Sequence, residues 1–332
     1  MADLRRLMKF PLFPLIRVVG VALVLAVSGI ASAHAADATH VVRIGYQKGT
    51  PYTLLKAQGT LEKRLAPLGY SVSWTEFPAG PQLIEAMDVG SIDLGYTGAP
   101  PPIFAQAAQK HVLYLAAEPA GKQNEAILVR PDSPIHSVAD LKGHTVAFQR
   151  GSSSHYLLLA SLEKAGLRIS DIQPVSLTPA DARAAFEAGK VDAWVIWDPY
   201  LAVAQRSVPT RVLADWGQGL VQPHGFFLGS PAFAAEHADL VHVVFEEVAK
   251  SDQWAATHQD EAVQLFASQI GVDRPTVTLF LSRSRFGIVP VDDEITSIQQ
   301  TIADAFYAEK VLPSKIHVAD IVWKGTTQAV AH

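Results

Sequence analysis

A chain of 332 residues with no cysteine and a net charge of −5 has the length for two lobes but no means of building a disulfide framework, a thiolate nucleophile or a cysteine metal site. Its acidic balance argues against nucleic acid and anionic membrane surfaces as partners.

The N-terminus places Arg5, Arg6, Lys9 and Arg17 ahead of an apolar run from Val18 to Ile30, followed by small residues at Ala31, Ala33 and Ala35. This is the pattern of a cleavable secretory signal over residues 1–35, and the run is shorter than the ~20 apolar residues of a spanning helix. Cleavage after Ala33 or Ala35 is expected, and with no lipid-attachment cysteine the mature chain reads as a free periplasmic protein. Losing the first 35 residues leaves 23 basic residues against 31 acids, a more acidic mature protein.

From there the pattern is strand, turn, helix. "VVRIGYQKG" alternates Val42, Ile44 and Tyr46 on one face and ends in a polar turn, and Tyr52 to Leu68 carries apolar residues at helical spacing. "YSVSWTEF" reads as a strand, "AGPQLIEAMDVG" as a helix entered at Pro81 and closed by Gly90, and "SIDLGYTGAPPPIFAQAAQ" as strand, turn and helix. The sequence then restarts, with "EAILVRPDSP", "HTVAFQRGSSSHYLLLASLEKAG" and "PADARAAFEAGKVDAWVIWDPYLAVA". Ala86, Gly90, Ile92 and Asp93 recur as Ala185, Gly189, Val191 and Asp192, so each half reads as a βα-rich lobe with a mainly parallel sheet. Past Phe226–Gly229, a strand expected to return the chain to the first lobe, the text is mostly helical. Two crossings between lobes form a natural hinge.

In open α/β sheets a ligand sits beyond the carboxyl ends of the strands. Four such ends stand out: Gln47 to Thr50, Thr97 with Gly98, Gly151 to His155, and Trp197 with Asp198. All but the last offer amide, hydroxyl and backbone donors without a nearby carboxylate, which suits a permanent anion. Ser152, Ser153 and Ser154 also read as an ordinary helix cap, Gln47 as a solvated turn residue and His155 as a surface residue. Trp194 and Trp197, three apart on a strand, face opposite sides, with Trp197 expected at the cleft. Asp198-Pro199 reads most simply as a helix start. Nucleophile-elbow, phosphate-loop and zinc-protease motifs are absent, and His237 and His242 are spaced off one helical face.

The blocks "IGYQKGT", "EFPAGPQLIEAMDVGSIDLGYTG", "VADLKGHTVAFQRGSSSHYLLLASLEKAGL" and "DIQPVSLTPADARAAFEAGKVDAWVIWDPYLA" resemble the aliphatic-sulfonate-binding proteins of sulfonate ABC importers, over nearly all the chain from Val41 to Trp323. The resemblance implies an α/β, type II periplasmic binding protein fold, two α/β lobes joined by a two-strand hinge. Lobe I is expected from residues 36–124 and 231–332, and lobe II from 125–230. It implies no catalysis, cofactor or metal, an organosulfonate ligand, and a monomer serving an inner-membrane ABC permease and its ATPase. Carried over by motif, Gln47, Thr97, Gly98, Ser152, Ser153 and His155 lie near the sulfonate, with Trp197 and Asp198 at the cleft wall. Many relatives read S-T-G-D where this chain reads Tyr96-Thr97-Gly98-Ala99, and Pro51 with Tyr52 replaces smaller residues. Tyr52, Tyr96 and Ala99 are therefore expected to reshape the tail pocket toward larger or ring-bearing sulfonates. Related lobes bind taurine, nitrate, bicarbonate or a thiamine pyrimidine precursor, which stand as the alternative cargoes. An enzyme on this scaffold is the contrasting class, and turnover of a bound ligand would mark it.

Overall fold

The computed structural model describes residues 40–325, so the expected signal segment lies outside the described residues. In chain order the elements are strand β1 (His40–Tyr46), helices α1 (Pro51–Gln58) and α2 (Thr60–Leu65), β2 (Tyr70–Glu76), α3 (Gly80–Asp88), β3 (Leu94–Thr97), α4 (Pro100–Ala107) and β4 (Leu113–Glu118). The second half-chain gives β5 (Glu125–Val129), β6 (Thr145–Phe148), α5 (Ser153–Lys164), β7 (Gln173–Ser176), α6 (Pro179–Glu187), β8 (Ala193–Trp197), α7 (Tyr200–Ser207) and β9 (Arg211–Asp215). It closes with β10 (Gly225–Gly229), α8 (Pro231–Glu236), α9 (Ala238–Thr257), α10 (Gln259–Ile270), α11 (Arg274–Leu281) and α12 (Asp293–Ala308).

The strands form two five-stranded sheets of matching plan, β2-β1-β3-β10-β4 and β7-β6-β8-β5-β9. In each, three strands run parallel, and the next runs antiparallel to both its neighbours. That reversed strand, β5 or β10, is the one the chain enters directly after crossing from the other sheet, so it starts at the cleft while its parallel neighbours end there. β10 thus belongs to the first sheet, and the change of sheet falls between Asp215 and Gly225, earlier than a lobe boundary at residue 230. Neither crossing is a strand: residues 119–124 are irregular, and residues 216–224 open on a short 3-10 turn at Trp216–Gln218 before running irregularly to β10. Gln222 Nε2 donates to Asn124 Oδ1 at 3.0 Å and joins them.

The interior strands β3 and β5 are buried along their whole length, as expected where helices cover both faces. The Tyr52 to Leu68 segment breaks at Gly59, whose left-handed φ of 61° ends α1 and starts α2. The repeated Gly-x-[IV]-Asp unit acts as a clamp. Gly90 and Gly189 end their helices in left-handed turns, and each aspartate ties the following strand to its parallel neighbour. Asp93 Oδ2 accepts from the Arg43 amide at 2.8 Å, and Asp192 Oδ2 from the Thr145 amide at 2.9 Å.

Apolar packing continues from one lobe to the other. Phe104 on α4 and Phe306 on α12 meet edge to face at 5.0 Å, and Phe306 reaches His155 on α5, also at 5.0 Å between centroids. Ala202 on α7 shares a buried cluster with Phe266 and Phe280 of α10 and α11. The lobes are therefore closed on one another in this structure.

Candidate functional site

The carboxyl ends of β1, β3, β6 and β8 face one cleft between the lobes, with about 980 Å³ of empty space that is partly open to solvent. Gln47, Gly98, Ser152, Ser153, Trp197 and Asp198 all line it, together with Tyr96 and Ala99. Gly98 and Ser153 come from opposite lobes and face each other closely, since a Cβ on Gly98 would stand 3.2 Å from the Ser153 Cβ.

Why the chain presents donors here follows from its local sequence. Gly151 takes a left-handed φ of 75°, which turns the chain from β6 into α5, and Ser152 sits in extended geometry at the N-cap. The Ser152 hydroxyl donates to the Gln149 carbonyl at 2.7 Å and pairs with the Ser154 hydroxyl at 2.8 Å, so both are committed to holding the turn. The amides of Ser153 and Ser154 at the start of α5 find no acceptor among the described residues, while that of His155 bonds back to the Ser152 carbonyl at 3.1 Å. Across the gap, α4 opens on Pro100, Pro101 and Pro102, which carry no N–H. Its contribution is restricted to the amides of Gly98 and Ala99, neither of which finds an acceptor among the described residues. Gln47 is a brace at the cleft wall. Its Nε2 donates to the Tyr96 carbonyl at 3.1 Å, and its own carbonyl accepts from the hydroxyls of Thr50 and Thr53.

Three residues expected at the site are placed elsewhere. Thr97 is fully buried, and its hydroxyl bonds to the Gly98 carbonyl at 2.9 Å, because strand alternation turns its side chain away from the cleft. His155 lies behind the wall, stacked on Phe148 at 4.8 Å and packed against Phe306, with Nδ1 accepting from the Gly151 amide at 3.2 Å. Burial, helped by Arg150, pushes its pKa down to about 3, so it is a neutral packing residue that steadies the glycine turn. Tyr52 is wholly buried, edge-on to Phe227 and Trp74, in the core under the first sheet. Its neighbour Pro51 reaches the cleft instead. Trp194 is in the core and Trp197 at the cleft, as strand alternation requires.

The cleft is not free of carboxylates, contrary to the sequence expectation. Glu118, Glu125 and Asp198 all line it. Burial raises Glu118 to about 8, partly offset by the hydroxyl of Tyr96, which donates to its Oε2. Burial likewise raises Glu125 to about 7, against the opposing pull of the Ser153 hydroxyl and the Trp216 indole. Asp198 is raised to about 7 by burial although Arg283 stands 3.4 Å away, and its Oδ1 accepts from the Ala202 amide at 2.9 Å to start α7. The cations Lys48 and Arg285 and the rings of Phe280 and Phe286 complete the lining. Glu118 and Glu125 flank the first crossing, in "AAEPAGKQNEAILV". An acid closing one apolar strand and opening the next, either side of a Pro and Gly turn, was the readable signal for them. Arg285 and the two phenylalanines arrive from the far end of the chain, where no strand-end rule points.

These groups set a pH dependence. Glu118 and Glu125 start from 4.5 and Asp198 and the buried Asp252 from 3.8, and all four hold a proton in the folded state up to about 7 or 8. Above the unfolded values the folded state binds more protons, so their contribution falls as pH rises through 7 to 8. His155 works in the opposite sense only between about 3 and 6.5. The thermal midpoint of the ligand-free protein is expected to fall by roughly several degrees from about pH 6.5 to about pH 8.5. A midpoint that holds or rises over that range would mean the carboxyls are ionised throughout.

Comparison with known proteins bears on this cleft. The profile of the NMT1/THI5-like family matches residues 73–262. An Escherichia coli (strain K12) protein named for binding aliphatic sulfonates is 45% identical over 304 residues, 91% of this chain and 94% of its own. The crystal structure of the periplasmic aliphatic sulphonate binding protein from Escherichia coli aligns with a TM-score of 0.78 at 45% identity, covering 86% of this chain and 93% of that one. The alkanesulfonate-binding protein from Xanthomonas axonopodis pv. citri, bound to MOPS, aligns with a TM-score of 0.82 at 42% identity, covering 85% and 98%.

Proposed function

We propose, from the premise that this chain belongs to the aliphatic sulfonate-binding proteins of the NMT1/THI5-like family, that it captures organosulfonates between its lobes for delivery to an ABC importer. The family is one of solute-binding proteins, not enzymes. Residues 1–35 direct the chain to the periplasm and are removed there, and the closed form is what an inner-membrane permease and its ATPase receive.

The observation that carries the reading is the convergence of unpaired donors from both lobes. The amides of Gly98 and Ala99 on one side face the first turn of α5, with Ser153, on the other. A sulfonate brings a charge that no accessible pH removes and three acceptor oxygens, so it bridges the lobes without needing a protonated partner. Helix-end amides favour an anion by about 0.3–1 kcal/mol at an exposed site and more when partly buried. Because both donor sets are engaged only when the lobes meet, the ligand binds the closed state better than the open one, and that difference drives closure. The rings of Trp197, Phe280 and Phe286 with Tyr96 offer an apolar bed for the tail, which suits bulky as well as short sulfonates.

The test is a thermal-unfolding series on the mature protein in phosphate or Tris, avoiding sulfonate buffers. A ligand at a hundred times its Kd adds about 2.7 kcal/mol, a shift of several degrees. Pentanesulfonate and a ring-bearing sulfonate are expected to give that shift, with little from sulfate or the matched carboxylate. No shift with any sulfonate, or an equal shift with the carboxylate, would overturn the reading.

A further inference from the structure

The first crossing changes its bonding partner within three residues. The Lys122 amide donates to the Arg283 carbonyl at 2.8 Å, on the side of the first sheet, and the Asn124 carbonyl accepts from the amide of Asp198, at the end of β8 in the second sheet, also at 2.8 Å. Between these anchors stands Gln123, with a left-handed φ of 46°. Its side chain packs against Gly217 of the second crossing, where it leaves no room for a Cβ. Beside this point one side chain spans the two lobes. Arg283, just past α11, sets its guanidinium 3.4 Å from Asp198 Oδ2 and donates to Gln205 Oε1 on α7 at 2.5 Å. The Arg283 and Asp198 side chains are 13% and 3% exposed, and Asp198 Oδ2 makes no hydrogen bond among the described residues, so the guanidinium is the group that meets it. Ser284, Arg285 and Phe286 line the cleft, whereas Arg283 does not.

We propose that Arg283 is a clasp at the hinge, a positioning residue that holds α7 against α11 only while the lobes are closed and so sets how slowly a bound sulfonate is released. This rests on the sulfonate reading above. Because the crossing is tied to Arg283 on one side of Gln123 and to Asp198 on the other, the swing of the lobes is taken up at Gln123. Any such swing draws α7 away from the guanidinium. In the open form water solvates both charged groups, and in the closed form they meet one another. A guanidinium fork reaches the carboxylate and the Gln205 amide oxygen together, which a lysine at the same position cannot do. Closing without Arg283 would bury the Asp198 carboxylate facing no cation, a state far less favourable than the intact pair. The pairs Arg206 with Asp273 at 3.7 Å and Arg168 with Glu309 at 3.3 Å also join elements of the two lobes, but they are more exposed and water screens them. The ligand enters the open form, where the clasp is undone, so entry is independent of Arg283 and exit is not.

The experiment follows butanesulfonate binding to the mature protein in phosphate, by calorimetry for affinity and by stopped-flow fluorescence of the cleft residues Trp197 and Trp216 for rates. R283M is expected to weaken binding at least about tenfold, with the loss in the dissociation rate and the association rate within about threefold of wild type. R283K, which keeps the charge without the fork, raises the dissociation rate at least about threefold. Adding D198N to R283M removes the stranded carboxylate and recovers at least about threefold of the lost affinity. Wild-type affinity in R283M, a loss carried by association, wild-type dissociation in R283K, or no recovery from D198N would each overturn the clasp with sulfonate capture intact. Should R283M fail to fold, R283K and Q205A decide, since Gln205 is on the exposed face of α7. Both must then speed dissociation by at least about threefold, and a wild-type rate in either overturns the proposal. Absence of butanesulfonate binding by the wild-type protein would instead remove the sulfonate reading beneath it.

Discussion

With valine in place of Gly98, the protein is expected to fold normally and to lose roughly 100-fold or more of its sulfonate affinity, about 2.7 kcal/mol. Gly98 does not occupy a left-handed conformation, so a side chain there meets no backbone strain. What it meets is the other lobe. A Cβ alone would stand 3.2 Å from the Ser153 Cβ and 3.4 Å from its Oγ, and the two methyl groups of valine extend beyond it. In an open form that space is solvent, so the cost falls on closure and not on folding. Titration should show the loss while the thermal midpoint of the ligand-free protein stays within about 3 °C of wild type. Wild-type affinity in this variant would mean that the lobes need not approach here for capture.

The second large effect is expected from Ser153→Asp. A carboxylate about 4 Å from the bound anion, at the effective dielectric of a partly buried site, opposes it by about 4 kcal/mol, close to 1000-fold in Kd. An acid in the first turn is favoured by the helix dipole by about 0.3–1 kcal/mol, which counteracts its repulsion from Glu125 and preserves α5. The readout is the ratio of sulfonate Kd values for variant and wild type. A loss smaller than about tenfold would place the sulfonate away from the start of α5.

Much of the architecture was legible because it depends on local rules. The helices α9 to α12 follow their apolar spacing, Gly90 and Gly189 mark the helix ends, and the repeated Asp93 and Asp192 announce two equivalent sheets. The reversed direction of β5 and β10 is not a local property, since a buried strand carries the same apolar run whichever way it points. At the cleft, the strand-end rule led to Gln47, Gly98, Ser152, Ser153, Trp197 and Asp198, which all line it. It failed for Thr97 and His155, which sit at the right place in sequence while strand alternation and helix rotation turn them inward. It also missed Glu118 and Glu125, which flank the first crossing, one closing β4 and the other opening β5. Phe280, Arg285 and Phe286 reach the same space from a helix and loop more than fifty residues past the last strand.

The most direct test of the account is a crystal structure of the mature protein with butanesulfonate, in a buffer free of sulfonates. Closed lobes are expected, with sulfonate oxygens within about 3 Å of the amides of Gly98 or Ala99 on one side and of the first turn of α5 on the other. A sulfonate held instead by Lys48 and Arg285 at the mouth, with the helix-end amides facing water, would contradict it.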